Sequence, residues 1–150
     1  SRPHEYSHSM LNCPSDDNAR FADGPAHGAP PRNVRLGTDD HLLDHLGGGF
    51  DLLYFTDAQA LPADVVEVAK AWRAKGVGMR ITAITARNSE AQGADQTLLD
   101  TAGRVRQRYG VPHSGAAYLL RPDQHVCARW LALTGQGLHD ALAQALPQGH

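Results

Sequence analysis

Hydrophobic positions along the chain fall into short segments whose spacing switches between the period of a strand and that of a helix. Phe50-Asp51-Leu52-Leu53-Tyr54-Phe55 is a nearly unbroken apolar run, the pattern of a strand covered on both faces, and predicts a central strand. From Pro62 to Lys75, Val65, Val68 or Ala69, and Trp72 recur on one face; Asp64 and Glu67 suit the positive start, and Gly76 follows the end. That predicts an amphipathic helix. Met79 to Thr85 alternates with period two and is rich in β-branched residues, which predicts the next strand, with Arg87 to Gly93 as loop. Leu98, Ala102, Val105 and Tyr109 share a stripe, so a second helix is expected from about Gln96 to Tyr109, ended by Gly110 and Pro112. Ala116 to Leu120 and Val126 to Trp130 flank Arg121-Pro122-Asp123-Gln124-His125, where Pro122 is preset for the first corner of a turn, and predict a hairpin. Leu138, Ala141, Leu142 and Ala145 mark a last helix that Pro147 ends.

Ahead of these elements the pattern weakens. Val34 to Leu36 alternates like a short strand, Gly37 to Asp40 supplies turn residues, and Leu42, Leu43 and Leu46 form a helical turn closed by Gly47-Gly48-Gly49. Residues 1–33 carry Pro3, Pro14, Pro25, Pro30 and Pro31 with Gly24 and Gly28 and have no sustained apolar period. They are expected to be an extended arm or linker, shaped by what it lies against, and 34–150 the domain proper. From Phe50 the order is strand, helix, strand, helix, hairpin, helix. Parallel strands joined by crossovers pass into an antiparallel edge, giving an α/β domain of thioredoxin-like order: a central mixed sheet with a C-terminal β-hairpin and helices on both faces.

Composition narrows the function classes. The 150 residues carry a formal charge of −2, so no overall basic field would gather nucleic acid or an anionic membrane. No stretch reaches the length of a membrane helix, and Ser1 to Met10 lacks the basic-then-apolar order of a secretion signal. Two cysteines, Cys13 and Cys127, cannot form a disulfide framework or, alone, a thiolate zinc cage, and a reducing cytoplasm is the expected location. Ser1 is not an initiator Met, and the opening run reads like mid-chain sequence, so a piece of a longer protein is expected.

The candidate chemical motifs are sparse. A thioredoxin-type thiol enzyme needs Cys-x-x-Cys after its first central strand, where a helix start lowers the attacking thiol's pKa; here the place reads Thr56-Asp57-Ala58-Gln59. The loop from Val111 to Ala116 also lacks a proline just before its strand. A stand-alone thiol or peroxide enzyme is thus the weaker alternative, with Cys127 expected to pack as a small hydrophobe and Cys13 to be idle in the arm. His41-Leu42-Leu43-Asp44-His45 places two histidines four apart, which on a helix could share a metal, so a metal-dependent hydrolase using His41 and His45 is a second alternative. It lacks a recognisable third ligand, and a solvated face is the simpler reading. Gly135-Gln136-Gly137-Leu138-His139-Asp140 begins like a dinucleotide fingerprint but ends in Asp, so it reads as the start of the last helix. Ser114 beside His113 is sequence adjacency only, His125 and His139 read as surface imidazoles, and Arg104, Arg106 and Arg108 as solvent charge near a helix end. No catalytic, cofactor-binding or metal residue is assigned.

Three stretches together resemble a known family: Gly28-Ala29-Pro30-Pro31-Arg32-Asn33-Val34-Arg35-Leu36, Leu42 to Leu53 with its three glycines, and Tyr118-Leu119-Leu120-Arg121-Pro122-Asp123-Gln124-His125-Val126-Cys127-Ala128-Arg129-Trp130. They look like the C-terminal region of FAD-dependent aromatic hydroxylases of the phenol hydroxylase and 3-(3-hydroxyphenyl)propionate hydroxylase group. The resemblance implies a thioredoxin-like domain without redox cysteines, following flavin and substrate domains and serving structure or subunit contacts. For the whole protein it implies hydroxylation of a phenol with FAD, NAD(P)H and O2, and for this chain a partner in its own flavin domain and a possible homodimer. The family's Gly-rich fingerprint for the adenosine diphosphate of FAD is absent from the 150 residues, so no catalytic residue carries over. Arg121, Asp123, Arg129 and Trp130, at the ends of the most specific motif, are the candidate interface residues, with Trp130 in the domain's own core as the alternative.

Overall fold

A computed structural model describes residues 16–147; Cys13 and the rest of residues 1–15, and residues 148–150, lie outside them. β1 (Arg35–Gly37) and β2 (Asp40–His41) form a small antiparallel ribbon, and the chain then makes a 3-10 turn over Leu42–His45. β3 (Phe50–Phe55) leads into α1 (Ala63–Ala74), and β4 (Met79–Thr85) into β5 (Gln96–Leu99) and the short α2 (Arg104–Arg108). β6 (Ala117–Leu120), β7 (Val126–Trp130) and α3 (Gly135–Ala145) complete the chain. Among the described residues no helix is long and apolar enough to cross a membrane.

The main sheet runs β5-β4-β3-β6-β7. β3 lies in the middle, parallel to β4 and antiparallel to β6, with Leu52 opposite both Ile81 and Leu119. Its apolar run now has a reason: Leu52 and Tyr54 enter one core and Leu53 and Phe55 the other. Val65, Ala69 and Trp72 of α1 and Leu138, Ala141 and Leu142 of α3 cover the first face. Phe21, Val34, Leu36, Leu42, Val105 and Tyr109 cover the second. This mixed α/β architecture, a five-stranded sheet with a small antiparallel ribbon and three helices, is consistent with the thioredoxin-like arrangement expected from the order of the elements.

One predicted element is corrected. The stretch expected to be a helix from Gln96 to Tyr109 is β5, a 3-10 turn over Thr101–Gly103, and only then α2. Gln96–Leu99 pairs in parallel with β4, Thr82 facing Gln96 and Thr85 facing Leu99. Ala102 (φ 60°) and Gly103 (φ 67°) break any continuous helix. The buried Asp100 carboxylate then starts α2 by accepting the amides of Val105 (2.8 Å) and Arg106 (3.1 Å). Leu98, Val105 and Tyr109 do share a core, while Ala102 is exposed.

Residues 16–33 lie on this domain's own β7. The amide of Gly28 donates to the Val126 carbonyl (2.9 Å), that of Val126 to Ala29 (2.8 Å) and that of Asp17 to Arg129 (2.9 Å). The segment therefore satisfies the outer edge of β7, where an unpaired row of backbone groups would otherwise invite another chain. Gly24 (φ 90°) fits where an added Cβ would stand 2.4 Å from the Tyr109 carbonyl and the Tyr118 hydroxyl, so the close approach requires glycine.

Candidate functional site

The loop after β3, where a thioredoxin-type enzyme would hold its dithiol, is organised around Asp57. Its amide donates to Ser114 Oγ (3.1 Å), tying the loop to the segment before β6. Its Oδ1 accepts from the amide of Ala86 (3.2 Å) and from Arg106 Nη2 (2.7 Å), and its carbonyl accepts from Arg87 Nη1 (3.3 Å). Thr56 Oγ1 accepts the amide of Ala58 (2.9 Å) and turns the chain toward α1. Sequence reasoning found the loop by the thiols it lacks and missed this clamp, since nothing local pairs Asp57 with an arginine 49 positions away. A half-exposed ion pair contributes only ~0–1 kcal/mol, so the clamp orients four segments more than it stabilises them.

The hairpin motif divides by side of the sheet. Arg121 spans the turn with a two-pronged contact to Asp123, Nε to Oδ1 (3.1 Å) and Nη2 to Oδ2 (2.9 Å), and the Gln124 amide closes the turn on the Arg121 carbonyl (2.8 Å). The Arg121 hydrogen bond holds the Asp123 carboxyl below its ordinary range. Arg129 leaves β7 toward residues 16–33. Its Nε donates to Asn18 Oδ1 (2.7 Å), Nη1 to the Asp23 carbonyl (3.1 Å) and the Tyr118 hydroxyl (3.3 Å), and Nη2 to the Asn18 carbonyl (3.1 Å), with the Phe21 ring 4.5 Å from the guanidinium carbon. Trp130 points the other way and packs among α1 and α3 residues, its Nε1 without an acceptor. Two of the four candidate interface residues are covered within this chain. Arg129 is 5% exposed and Trp130 1%, because this chain's own segment 16–33 and α3 cover them; only Arg121 and Asp123 keep solvent-facing surface.

A ladder of phenols continues from Arg129. Tyr118 donates to the Tyr109 carbonyl, and Tyr109 to the Arg32 carbonyl (2.6 Å), with the two rings edge to face at 5.0 Å. Burial pushes both phenols above their ordinary range, so they act as neutral donors. His27 pairs with Asp16 inside the same segment, whose carboxylate also accepts the Arg129 amide (3.2 Å). Sequence patterns showed none of these partners except through Gly24 and Gly28, which signal tight backbone but not what it touches.

His41 and His45 do not share a helical face. His41 sits in extended β2 and His45 ends a 3-10 turn; His41 Nδ1 stands 4.0 Å from Asp44 and His45 Nε2 2.6 Å from Asp40. Among the described residues no three metal-ligating side chains are grouped to hold an ion. Cys127 is buried in the core beneath α1 and α3. The Gly135-Gln136-Gly137 stretch is a packing device: an added Cβ on Gly135 would meet the Asp64 carbonyl at 2.8 Å, and Asp64 Oδ2 accepts the Gly135 amide (2.7 Å). Thr134 caps α3 through the Gly137 amide (3.0 Å). His139 packs on Trp72, whose Nε1 donates to its Nδ1 (3.2 Å). A concavity of about 380 Å³ opens at the other end of the sheet between Gly48-Gly49-Phe50 and Lys75 to Gly78, walled mostly by backbone and apolar groups.

A mixed α/β domain of similar fold is also found within flavin-dependent hydroxylases. Over 92% of its length the chain is similar to 25% of aklavinone-11 hydroxylase, solved as a ternary complex with FAD and aklavinone, at 30% identity and TM-score 0.61. Over 92% it is similar to 22% of the rebeccamycin biosynthetic enzyme RebC, solved with reduced flavin, at 22% identity and TM-score 0.55. Over 80% it is similar to 20% of the flavin-dependent monooxygenase PieE, solved with FAD and substrate, at 24% identity and TM-score 0.51. The latter two likenesses concern the fold alone. No family model and no curated protein matches the chain. The chain therefore spans about a quarter of the length of the hydroxylases it matches, as a domain of a larger protein would, and the likeness supports a relation to FAD-dependent hydroxylases and monooxygenases.

Proposed function

We propose that this chain is the non-catalytic C-terminal domain of an FAD-dependent aromatic-ring hydroxylase, a cytoplasmic phenol monooxygenase that uses NAD(P)H and O2. The observation that carries this reading is the 30% identity over 92% of the chain to one quarter of aklavinone-11 hydroxylase. Flavin chemistry needs a frame that holds the ring system against substrate. Here the polar groups with strong partners, Asp57, Asp100 and Arg129, are engaged in holding loops, a helix start and the leading segment. On this reading the chain packs against its own flavin domain and contributes to a homodimer.

Purification of the natural polypeptide that contains this sequence, beside the 150-residue chain alone, tests the reading. The long form is expected to retain stoichiometric flavin and to oxidise NAD(P)H with a phenol, and the chain alone to retain none. Flavin held by the 150-residue chain after desalting, or a long form with no flavin, would overturn it.

A further inference from the structure

The sequence holds a single Asp-Gly pair, Asp23-Gly24, and no Asn-Gly. It lies inside the segment that clasps β7. Such a pair carries a covalent chemistry of its own: with no Cβ on the second residue, its backbone nitrogen has free approach to the aspartate side chain and can close a succinimide ring. The Asp23 side chain is 72% exposed, with Arg32 Nη1 3.9 Å from its carboxylate, so the carboxyl itself is open to water.

The main chain around it is held. The Asp23 carbonyl accepts from Arg129 Nη1 (3.1 Å), and Gly110 comes so near that an added Cβ there would stand 2.5 Å from the same oxygen. Gly24 is seated against the Tyr109 carbonyl and the Tyr118 hydroxyl, each 2.4 Å from where its Cβ would be. Ring closure requires the peptide between Asp23 and Gly24 to turn about the Asp23 Cα–C bond. That turn carries the carbonyl off Arg129 and the glycine out of its seat, so it has to wait for the segment to open.

We infer that Asp23-Gly24 is a site of spontaneous isoaspartate formation, kept slow by the Arg129 hold and the Gly24 seat while the clasp is closed. The Gly24 nitrogen attacks Cγ of the protonated Asp23 carboxyl; the N–Cγ bond forms, the bond from Cγ to the hydroxyl breaks, and the hydroxyl leaves with the amide proton as water. Water then adds at the Asp23 main-chain carbonyl carbon, whose bond to the Gly24 nitrogen breaks as that nitrogen takes back a proton. The product has the same mass, with Gly24 joined through Cγ and a free α-carboxylate on residue 23. Its main chain is one atom longer between contacts that leave no slack, so the segment cannot return to its seat, and the β7 edge it covered is left open. The modification is a one-way release of the clasp, and it stands apart from the proposed function.

The 150-residue chain kept warm near neutral pH, with isoaspartate located by electron-transfer fragmentation of its peptides, tests this. Isoaspartate at residue 23 is expected to form several-fold faster in guanidinium chloride that unfolds the chain than in the folded chain. Arg129→Met, confirmed as folded by circular dichroism, should also form it several-fold faster than wild type. If that variant does not fold, wild type held in denaturant just below its transition replaces it, with the same acceleration expected. Asp23→Glu, whose longer side chain closes the ring poorly, should form none and melt as wild type does. The isoaspartyl form, separated by chromatography, should melt well below the unmodified chain. No isoaspartate at residue 23 in the unfolded chain, equal rates in folded and unfolded chains, no acceleration on loosening the clasp, or a modified chain that melts unchanged would each overturn the inference.

Discussion

Arg129 shows how one side chain can hold two parts of a molecule together. Its fork serves the Asn18 carbonyl, Asn18 Oδ1 and the Asp23 carbonyl, acceptors that would be left without their donor if it were removed. Arg129→Met is expected to lower stability by about 3 kcal/mol or more in urea melts. Arg129→Lys should recover little of it, since one ammonium cannot reproduce the fork. Its neighbour acts through packing instead: Trp130→Ala should lower the chain's own stability by about 3–5 kcal/mol by leaving a cavity under α3. Asp51 adds a pH dependence. Burial pushes its carboxyl up, against the Gly47 amide (2.8 Å) and Arg80 (3.6 Å), so the folded chain holds that proton more tightly than the unfolded chain. The stability this gives is full below the ordinary carboxylate pKa and is lost as pH rises through the raised value. Asp51→Asn cannot ionise, so its stability relative to wild type should improve as pH rises from about 3 to neutrality, followed by urea melts at each pH.

At the scale of elements, the leading segment behaves as part of the domain. It occupies the β7 edge, buries Phe21 and surrounds Arg129. A chain beginning at residue 34 would therefore expose a bare edge strand and strip the Arg129 guanidinium of its Asn18 and Asp23 partners. It is expected to melt well below the 150-residue chain and to aggregate on warming, as circular dichroism and light scattering would show. β5 makes the complementary point. Its four residues read equally well as the start of a helix, and they become a strand because β4 offers them a parallel edge.

For the whole molecule, the end of the sheet that could hold a dithiol is closed by the Asp57 clamp, and Cys127 lies in the core beneath α1 and α3. Insulin reduction by the chain is expected to stay at reagent background and to be unchanged by Cys127→Ala. Thiol-dependent turnover lost in that variant would contradict the structural role of Cys127. The two ends of the sheet thus differ in kind: a polar clamp at one and a glycine-walled concavity at the other.

The sequence by itself determined β3, α1, β4, the hairpin and α3, because in each the period of apolar residues matches a face that is buried along its whole length. It also determined that no thiol stands after β3, which is a matter of composition at one place. Tertiary structure alone decided that Gln96–Leu99 is a strand, that Arg129 and Trp130 turn inward, and that residues 16–33 complete the sheet edge. The contacts responsible join Arg129 to Asn18 across 111 positions and to Asp23 across 106. Periodicity records only which side of an element is apolar. Which distant backbone comes to lie against that element is fixed when the whole chain closes around its core.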